Sequence, residues 1–191
     1  MEEKIDLRIR KTYLSLHNAF TDLLEEKKFE DFTVIELCDR AMIRRTTFYK
    51  HFADKYEYFT FYIKEIVATF QDLLAPDVME GEIDVYLLHM CRELIRFIKI
   101  HDRMVQNIRN SSMFPLLLSI LLDSITEDIT QVLFRGNKHR PISKMQLEGI
   151  AAFYAGGLLN ALFSSLKKDI SIDEEVFVEI LHRFLAVGKL E

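Results

Sequence analysis

The sequence predicts an all-α protein, a three-helix helix-turn-helix head joined to a helical-bundle body. Three observations carry the prediction. Apolar residues recur at three- and four-residue steps in segment after segment, the period of an amphipathic helix and not the alternation of a strand. Breakers are scarce, with six Gly and three Pro among 191 residues, which leaves room for long helices and few loops. Several apolar runs open on Ser or Asp followed three residues later by Glu or Gln, the mark of a capped helix start. A chain of this length can build one good core, or dock a small domain on a larger one. The boundaries fall at residues 1–53 for the head and 54–191 for the body, with a helix over 54–74 linking them.

The first helix spans residues 5–27, where Ile5, Ile9, Tyr13, Leu16, Phe20 and Leu23 line one face. Lys4, Arg8, Arg10 and Lys11 decorate its beginning, either as a solvated basic face or as an arm toward a polyanion. Lys27-Lys28-Phe29-Glu30-Asp31-Phe32 forms the connector, and its two Phe plug the small core of the head. Thr33 is an N-cap, its hydroxyl placed to accept from an unpaired backbone N–H. Behind it Val34, Leu37, Cys38 and Ala41 fall at i, i+3, i+4 and i+7, the apolar face of a short helix. The pattern breaks at Ala41-Met42-Ile43 and restarts at once over residues 44–52. There Phe48 and Phe52 pack inward, while Thr46, Tyr49 and Lys50 share another face. Two short helices across a tight turn, the second presenting hydroxyls, cations and a phenol, describe a helix-turn-helix with its recognition helix.

That chemistry suits duplex DNA. Phosphates attract Lys, Arg and neutral donors such as Thr and Tyr. Arginine forks onto guanine in the major groove, and a Thr methyl or Tyr ring meets a thymine methyl. Residues 40–55 hold five cations (Arg40, Arg44, Arg45, Lys50 and Lys55) against one acid, Asp54, in a protein of net charge −5. The acidic total confines the positive field to one end of the molecule.

These residues resemble the DNA-binding domain of TetR-family transcriptional regulators. In that family a Thr opens the second helix, a Thr-(Leu/Phe)-Tyr-x-(His/Tyr)-Phe string forms the third, and a Lys follows at the start of the fourth. Here they are Thr33, then Thr47-Phe48-Tyr49-Lys50-His51-Phe52, then Lys55. The resemblance implies that Thr33, Thr47, Tyr49, His51 and Lys55 hold phosphates, and that Arg44, Arg45, Thr46 and Lys50 approach bases. It covers roughly the first third of the chain. Two positions depart from the pattern. Met42 stands where the family has Gly in the turn, which predicts an altered or strained turn, and Arg44 replaces the capping Ser of the recognition helix.

Asp54-Lys55-Tyr56-Glu57 caps the linking helix, whose Tyr58, Phe59, Tyr62, Ile66 and Phe70 form an aromatic stripe. Pro76 is expected to stop it, and residues 76–82 read as a linker. Helices then follow over about 83–100, 103–109 and 114–134, the last opening near Pro115. Arg135-Gly136-Asn137-Lys138-His139-Arg140-Pro141 is a basic, breaker-rich loop. Ser143-Lys144-Met145-Gln146 caps a helix to about residue 168, and Ser171-Ile172-Asp173-Glu174 caps a last one that ends before Gly188. Residues 149–166 carry no charge, nominally a membrane span, but Asn160, Ser164, Ser165 and three Gly dilute the run and no second span exists, so no membrane association is expected. Small residues at Ala152, Gly156 and Asn160 instead allow a helix to approach closely. With Phe177, Ile180 and Phe184 on the last helix they predict a four-helix homodimer interface, as the TetR resemblance also implies.

Enzyme chemistry finds no foothold. No Cys-x-x-Cys, Gly-rich phosphate loop, His-Glu-x-x-His or nucleophile elbow occurs, so no catalytic residue, metal or cofactor is expected. Cys38 and Cys91 sit in apolar helical settings without nearby partners, which fits a reducing cytoplasm, and the charged N-terminus has no signal-peptide core. The resemblance implies an effector site in the body, and Tyr86, His89, Met90, Phe97, His101 and Leu117 supply apolar walls with sparse polar anchors. The reading is therefore a cytoplasmic, homodimeric regulator on an inverted-repeat operator in double-stranded DNA, a repressor responsive to a small-molecule effector. The rival is a protein-partnered co-activator resembling those of dihydroxyacetone kinases, with no metabolite ligand.

Overall fold

A computed structural model of the chain describes residues 2–136, 143–167 and 174–187. The described residues form α1 (Glu2–Glu26), a 3-10 turn (Phe29–Asp31), α2 (Val34–Arg40), α3 (Arg45–Phe48), α4 (Lys55–Glu80), α5 (Ile83–Ile100), α6 (Asp102–Arg109), α7 (Phe114–Gly136), α8 (Lys144–Lys167) and α9 (Glu174–Val187). Most of the basic loop, the cap at residues 171–173 and Gly188 lie outside the described residues, as do the side chains of Lys4, Arg8 and Phe184. The chain divides into two compact units. One is Met1–Glu65 with His101–Leu118, the other Ile66–Ile100 with Ser119–Glu191. The helix α4 thus runs from the first unit into the second, and α6 belongs with the head.

An aromatic core holds the first unit together. Phe20 of α1 is fully buried and meets Phe29, Phe32, Tyr58, Phe59 and Tyr62 at centroid distances of 4.9–6.4 Å, all edge-on. Each such pair adds ~0.5–1.5 kcal/mol to what area burial alone supplies. Phe29 and Phe32 are buried as the connector sequence predicts. Helix α6 packs along α1 and is fixed by polar contacts as well. Asn107 Nδ2 donates to the Leu24 carbonyl at 2.8 Å, and His101 Nδ1 lies 3.1 Å from Glu25 Oε1.

In the second unit α5 contributes Tyr86, Leu87, Met90, Cys91, Ile95 and Ile98 to the core, and α7 contributes Ile125, Ile129 and Val132. Helix α8 buries Leu147, Ala151, Ala155, Leu158, Leu159 and Leu162 along one side, and α9 packs on α5. The expected stop at Pro76 is wrong, since α4 continues through it to Glu80. Proline removes one helical hydrogen bond at a cost of ~3 kcal/mol. Here Pro76 faces solvent while Leu74 is buried and Asp77 Oδ2 holds His89 Nδ1 of α5 at 2.5 Å, so tertiary anchoring carries the helix onward. It ends at Gly81, whose φ of +77° suits glycine and where a Cβ would come within 2.9 Å of the Gly136 nitrogen. The linker read over residues 76–82 therefore shrinks to Gly81 and Glu82.

Candidate nucleic-acid interface

The helix-turn-helix is built from local chemistry. Thr33 caps α2 and forms a reciprocal box: its Oγ1 accepts from Glu36 N at 3.2 Å, and Glu36 Oε2 accepts from Thr33 N at 3.1 Å. Lys27 Nζ donates to the other Glu36 oxygen at 2.8 Å. Hydrogen bonds from Lys27 and the Thr33 amide hold the Glu36 carboxyl below its ordinary range. The far end of α2 closes in a Schellman turn, with Ile43 N donating to Cys38 O at 3.0 Å and Met42 N to Asp39 O at 3.2 Å. Met42 occupies the left-handed position with φ 54° and is 93% exposed. The strain expected from a Met in a glycine position is present.

The recognition helix is shorter than the sequence suggests. Only Arg45–Phe48 is α-helical, and Arg44 at its N-cap makes no side-chain cap hydrogen bond. Turns continue the path, with His51 N and Phe52 N both donating to the Phe48 carbonyl at 2.9 and 3.0 Å. Without a capping hydroxyl the first turn gains nothing from its side chains, and the buried Phe48 and Phe52 anchor the segment instead.

Arg44, Arg45, Thr46, Tyr49 and Lys50 are exposed, Thr47 is half-buried, and Thr33 is exposed at the start of α2. No carboxylate pairs with Arg44, Arg45 or Lys50 among the described residues. His51 is exposed and shares a 3.3 Å hydrogen bond through Nδ1 with the Tyr13 hydroxyl, which ties this segment to α1. In the sequence Tyr13 is legible only as part of an apolar stripe.

Two of the five cations have partners within the protein, Arg40 at the surface and Lys55 partly buried. Arg40 makes a paired contact to Glu26 at 2.6 and 2.8 Å, which holds the Glu26 carboxyl below its ordinary range. Lys55, expected on a phosphate, donates to the carbonyls of Phe29 at 2.8 Å and Phe32 at 2.7 Å and lies 4.5 Å from the Phe29 ring centroid. Partial burial lowers its pKa, against the opposing pull of Glu30, Asp31 and Glu36. Carbonyl dipoles and an aromatic face stabilise the ammonium there as internal partners.

The six residues expected around an effector fall in both units. Tyr86, His89, Met90 and Phe97 lie on α5 in the second unit, whereas His101 and Leu117 belong to the first. The second unit does hold a polar network in an apolar setting. Asp128 accepts from Gln71 Nε2 at 3.1 Å and from the buried Tyr86 hydroxyl at 3.3 Å, beside the Asp77–His89 pair. Burial raises the Asp128 pKa against the opposing effect of those two hydrogen bonds. Asp128 was readable, because it falls at i+3 from Ile125 on the stripe that continues to Ile129 and Val132.

Of the residues expected at a dimer interface, Ala152 and Asn160 are exposed and Gly156 partly so, on the side of α8 away from its core face. Phe153 beside them is 87% exposed, and on α9 Phe177 is half-buried and Ile180 61% exposed. One helix, Lys144–Ser164, is long and apolar enough by composition to cross a membrane, with one third of that stretch buried within the fold.

These features define a class: a helix-turn-helix head carried on a helical body. No protein-family model matches the chain. Over 57 residues it is 40% identical to the uncharacterized HTH-type transcriptional regulator YxbF of Bacillus subtilis (strain 168), a match spanning 29% of this chain and 15% of that protein. Across 95% of this chain and 97% of the other, the fold superposes with a TM-score of 0.61 and 18% identity on a candidate TetR-family transcriptional regulator of Syntrophomonas wolfei str. Goettingen. A γ-butyrolactone receptor (ArpA-like protein) overlaps more loosely, with a TM-score of 0.49 and 17% identity over 93% of this chain and 97% of its own. The chain has the all-α, helix-turn-helix fold of the TetR-family transcriptional regulators, as the sequence resemblance implies.

Proposed function

We propose that the protein is a non-enzymatic, cytoplasmic transcriptional regulator that binds an inverted-repeat operator as a homodimer and acts as a repressor. One observation carries the reading. Arg44, Arg45, Thr46, Tyr49 and Lys50 stand exposed on the helix-turn-helix, and the three cations among them have no carboxylate partner among the described residues. Cations unpaired within the protein are available to phosphates and to guanine edges. Thr33, Thr47, Tyr49 and His51 supply neutral donors to phosphates. The outer side of α8 beyond Glu148, where no charged residue occurs before Lys167, with Phe153, and Ile180 of α9 form the surface on which a second copy packs, and a twofold dimer reads a twofold-symmetric site.

The effector site belongs in the second unit, where Tyr86, His89, Met90 and Phe97 of α5 accompany Asp128, Gln71 and Asp77. Sparse polar groups in apolar surroundings are the usual makings of a small-molecule site. The test of the whole reading is selection of duplexes from a random library by the full-length protein. Enrichment of an inverted repeat that Arg45→Ala no longer discriminates supports it. Recovery of no sequence preference sinks it.

A further inference from the structure

The connector between α1 and α2 is gripped from two directions. From α4, the Lys55 ammonium donates to the carbonyls of Phe29 and Phe32. From the turn between α6 and α7, both the Ser112 amide (2.6 Å) and its hydroxyl (2.5 Å) donate to Glu30 Oε1. Partial burial pushes the Glu30 carboxyl up, but the hydrogen bonds from Ser112 and from its own amide, with the nearby Lys55 charge, together hold it below its ordinary value. The connector feeds directly into Thr33 and α2, so it fixes where the helix-turn-helix begins. At Ser112 the chain has just left α6, and α7 continues from that turn into the second unit.

From this we infer that residues 28–32 act as a two-sided latch. Lys55 and Glu30 are positioning residues for the helix-turn-helix, and the α6–α7 turn controls DNA affinity through Glu30. Lys55 is then no phosphate ligand, although its charge and place in the sequence suggest one. The inference rests on the DNA-binding reading above, and it adds a point at which a displacement of α7 reaches the head without passing along α4. Both hydrogen bonds on Glu30 end on a carboxylate, the stronger kind, so their loss is not a small perturbation.

Two variants separate a latch from simple charge. Removing an acid from a DNA-binding head lowers its repulsion from phosphates, so charge alone makes Glu30→Ala bind more tightly. The latch makes it bind roughly tenfold more weakly, with Glu30→Gln, which keeps an acceptor, close to wild type. Lys55→Met keeps the stem and loses the clamp. It weakens binding with no change in the log–log salt slope, where loss of a phosphate contact reduces that slope by ~1. The probe is the duplex selected by the wild-type protein, and amide hydrogen exchange of each free variant is read alongside. Both Glu30→Ala and Lys55→Met should speed exchange across residues 29–37 while α5 stays protected, which also shows that the variants fold. Tighter or unchanged binding by Glu30→Ala, a slope reduced by ~1 in Lys55→Met, or unaltered exchange across 29–37 overturns the proposal. If the wild-type protein selects no duplex, the functional reading fails, and the exchange data alone decide whether the latch exists.

Discussion

Met42 offers the sharpest test of how this head is built. It is the residue after the C-cap of α2, in a Schellman turn whose two hydrogen bonds are both made, with φ 54°. A left-handed conformation costs an L-residue with a Cβ ~1–2 kcal/mol. Glycine escapes that cost but loses more chain entropy on folding, ~0.4–1 kcal/mol. Because the Met42 side chain is 93% exposed, its removal forfeits almost no burial. Met42→Gly should therefore stabilise the protein by a net ~0.5–1 kcal/mol. Met42→Ala is the decisive control, since it deletes the same side chain yet keeps the Cβ and the strain. Urea denaturation followed by far-ultraviolet circular dichroism should show a higher midpoint for Met42→Gly and none for Met42→Ala, with equal slopes. Equal gains for both would refute backbone strain as the cause, and a loss for Met42→Gly would show that the side chain contributes contacts.

Asp128→Asn should raise stability at neutral pH. The folded carboxyl titrates above its ordinary value, so its contribution is fully present below the unfolded pKa and is lost as pH rises through the folded one. Asparagine cannot ionise and keeps partners for Gln71 and Tyr86, so its advantage over wild type should be clear at pH 7 and shrink below about pH 4; an advantage independent of pH would point to a packing effect. Gly156→Asp puts a charge in the uncharged stretch of α8 after Glu148 and should convert a sedimenting dimer into monomers, whereas a wild type that is already monomeric at micromolar concentration would remove α8 from the interface. Arg45→Ala should lose ~1–3 kcal/mol on the selected operator and relax preference at one base pair, and uniform weakening across competitor duplexes would place Arg45 on a phosphate instead.

What could be read from sequence was chemistry acting over a few residues. The Thr33 cap and the Ser143–Gln146 box appear in the structure because each depends on neighbours along the chain, and Phe29 and Phe32 are buried because large apolar side chains in a short connector must plug the nearest core. The Asp54 cap holds in a shifted form. Its carboxylate accepts from Tyr56 N and Glu57 N, but the Glu57 side chain reaches back to Ala53 N. Pro76 misled because its local penalty is opposed by an anchor, His89 on Asp77, that no nearby residue announces. His101 and Leu117 fall outside the unit that holds Tyr86. Sequence proximity placed them in the body, while α6 and the start of α7 belong to the compact unit that holds the head.

Long charged side chains were the least readable, and they bear directly on DNA. Counting residues 40–55 gives five cations, but Arg40 is spent on Glu26 and Lys55 on two carbonyls, which leaves Arg44, Arg45 and Lys50. Nothing in the sequence separates the two groups, because an Arg or Lys stem spans several ångströms and the fold decides what lies within its reach. The difference has a measurable consequence. Each phosphate neutralised contributes ~0.9 to the log–log salt slope, so two heads with three free cations each give a slope of at most about 5, where five each would give up to about 9. A protein of net charge −5 working from so few cations must draw much of its operator affinity from Thr, Tyr and amide donors, and from the simultaneous seating of two heads. Titrations of the selected operator between 50 and 200 mM salt distinguish the two slopes. A value near 9 that Arg10→Ala and Lys11→Ala leave unchanged would mean that Arg40 and Lys55 abandon their internal partners on DNA, and a pre-built head would have to give way to one that rearranges on binding.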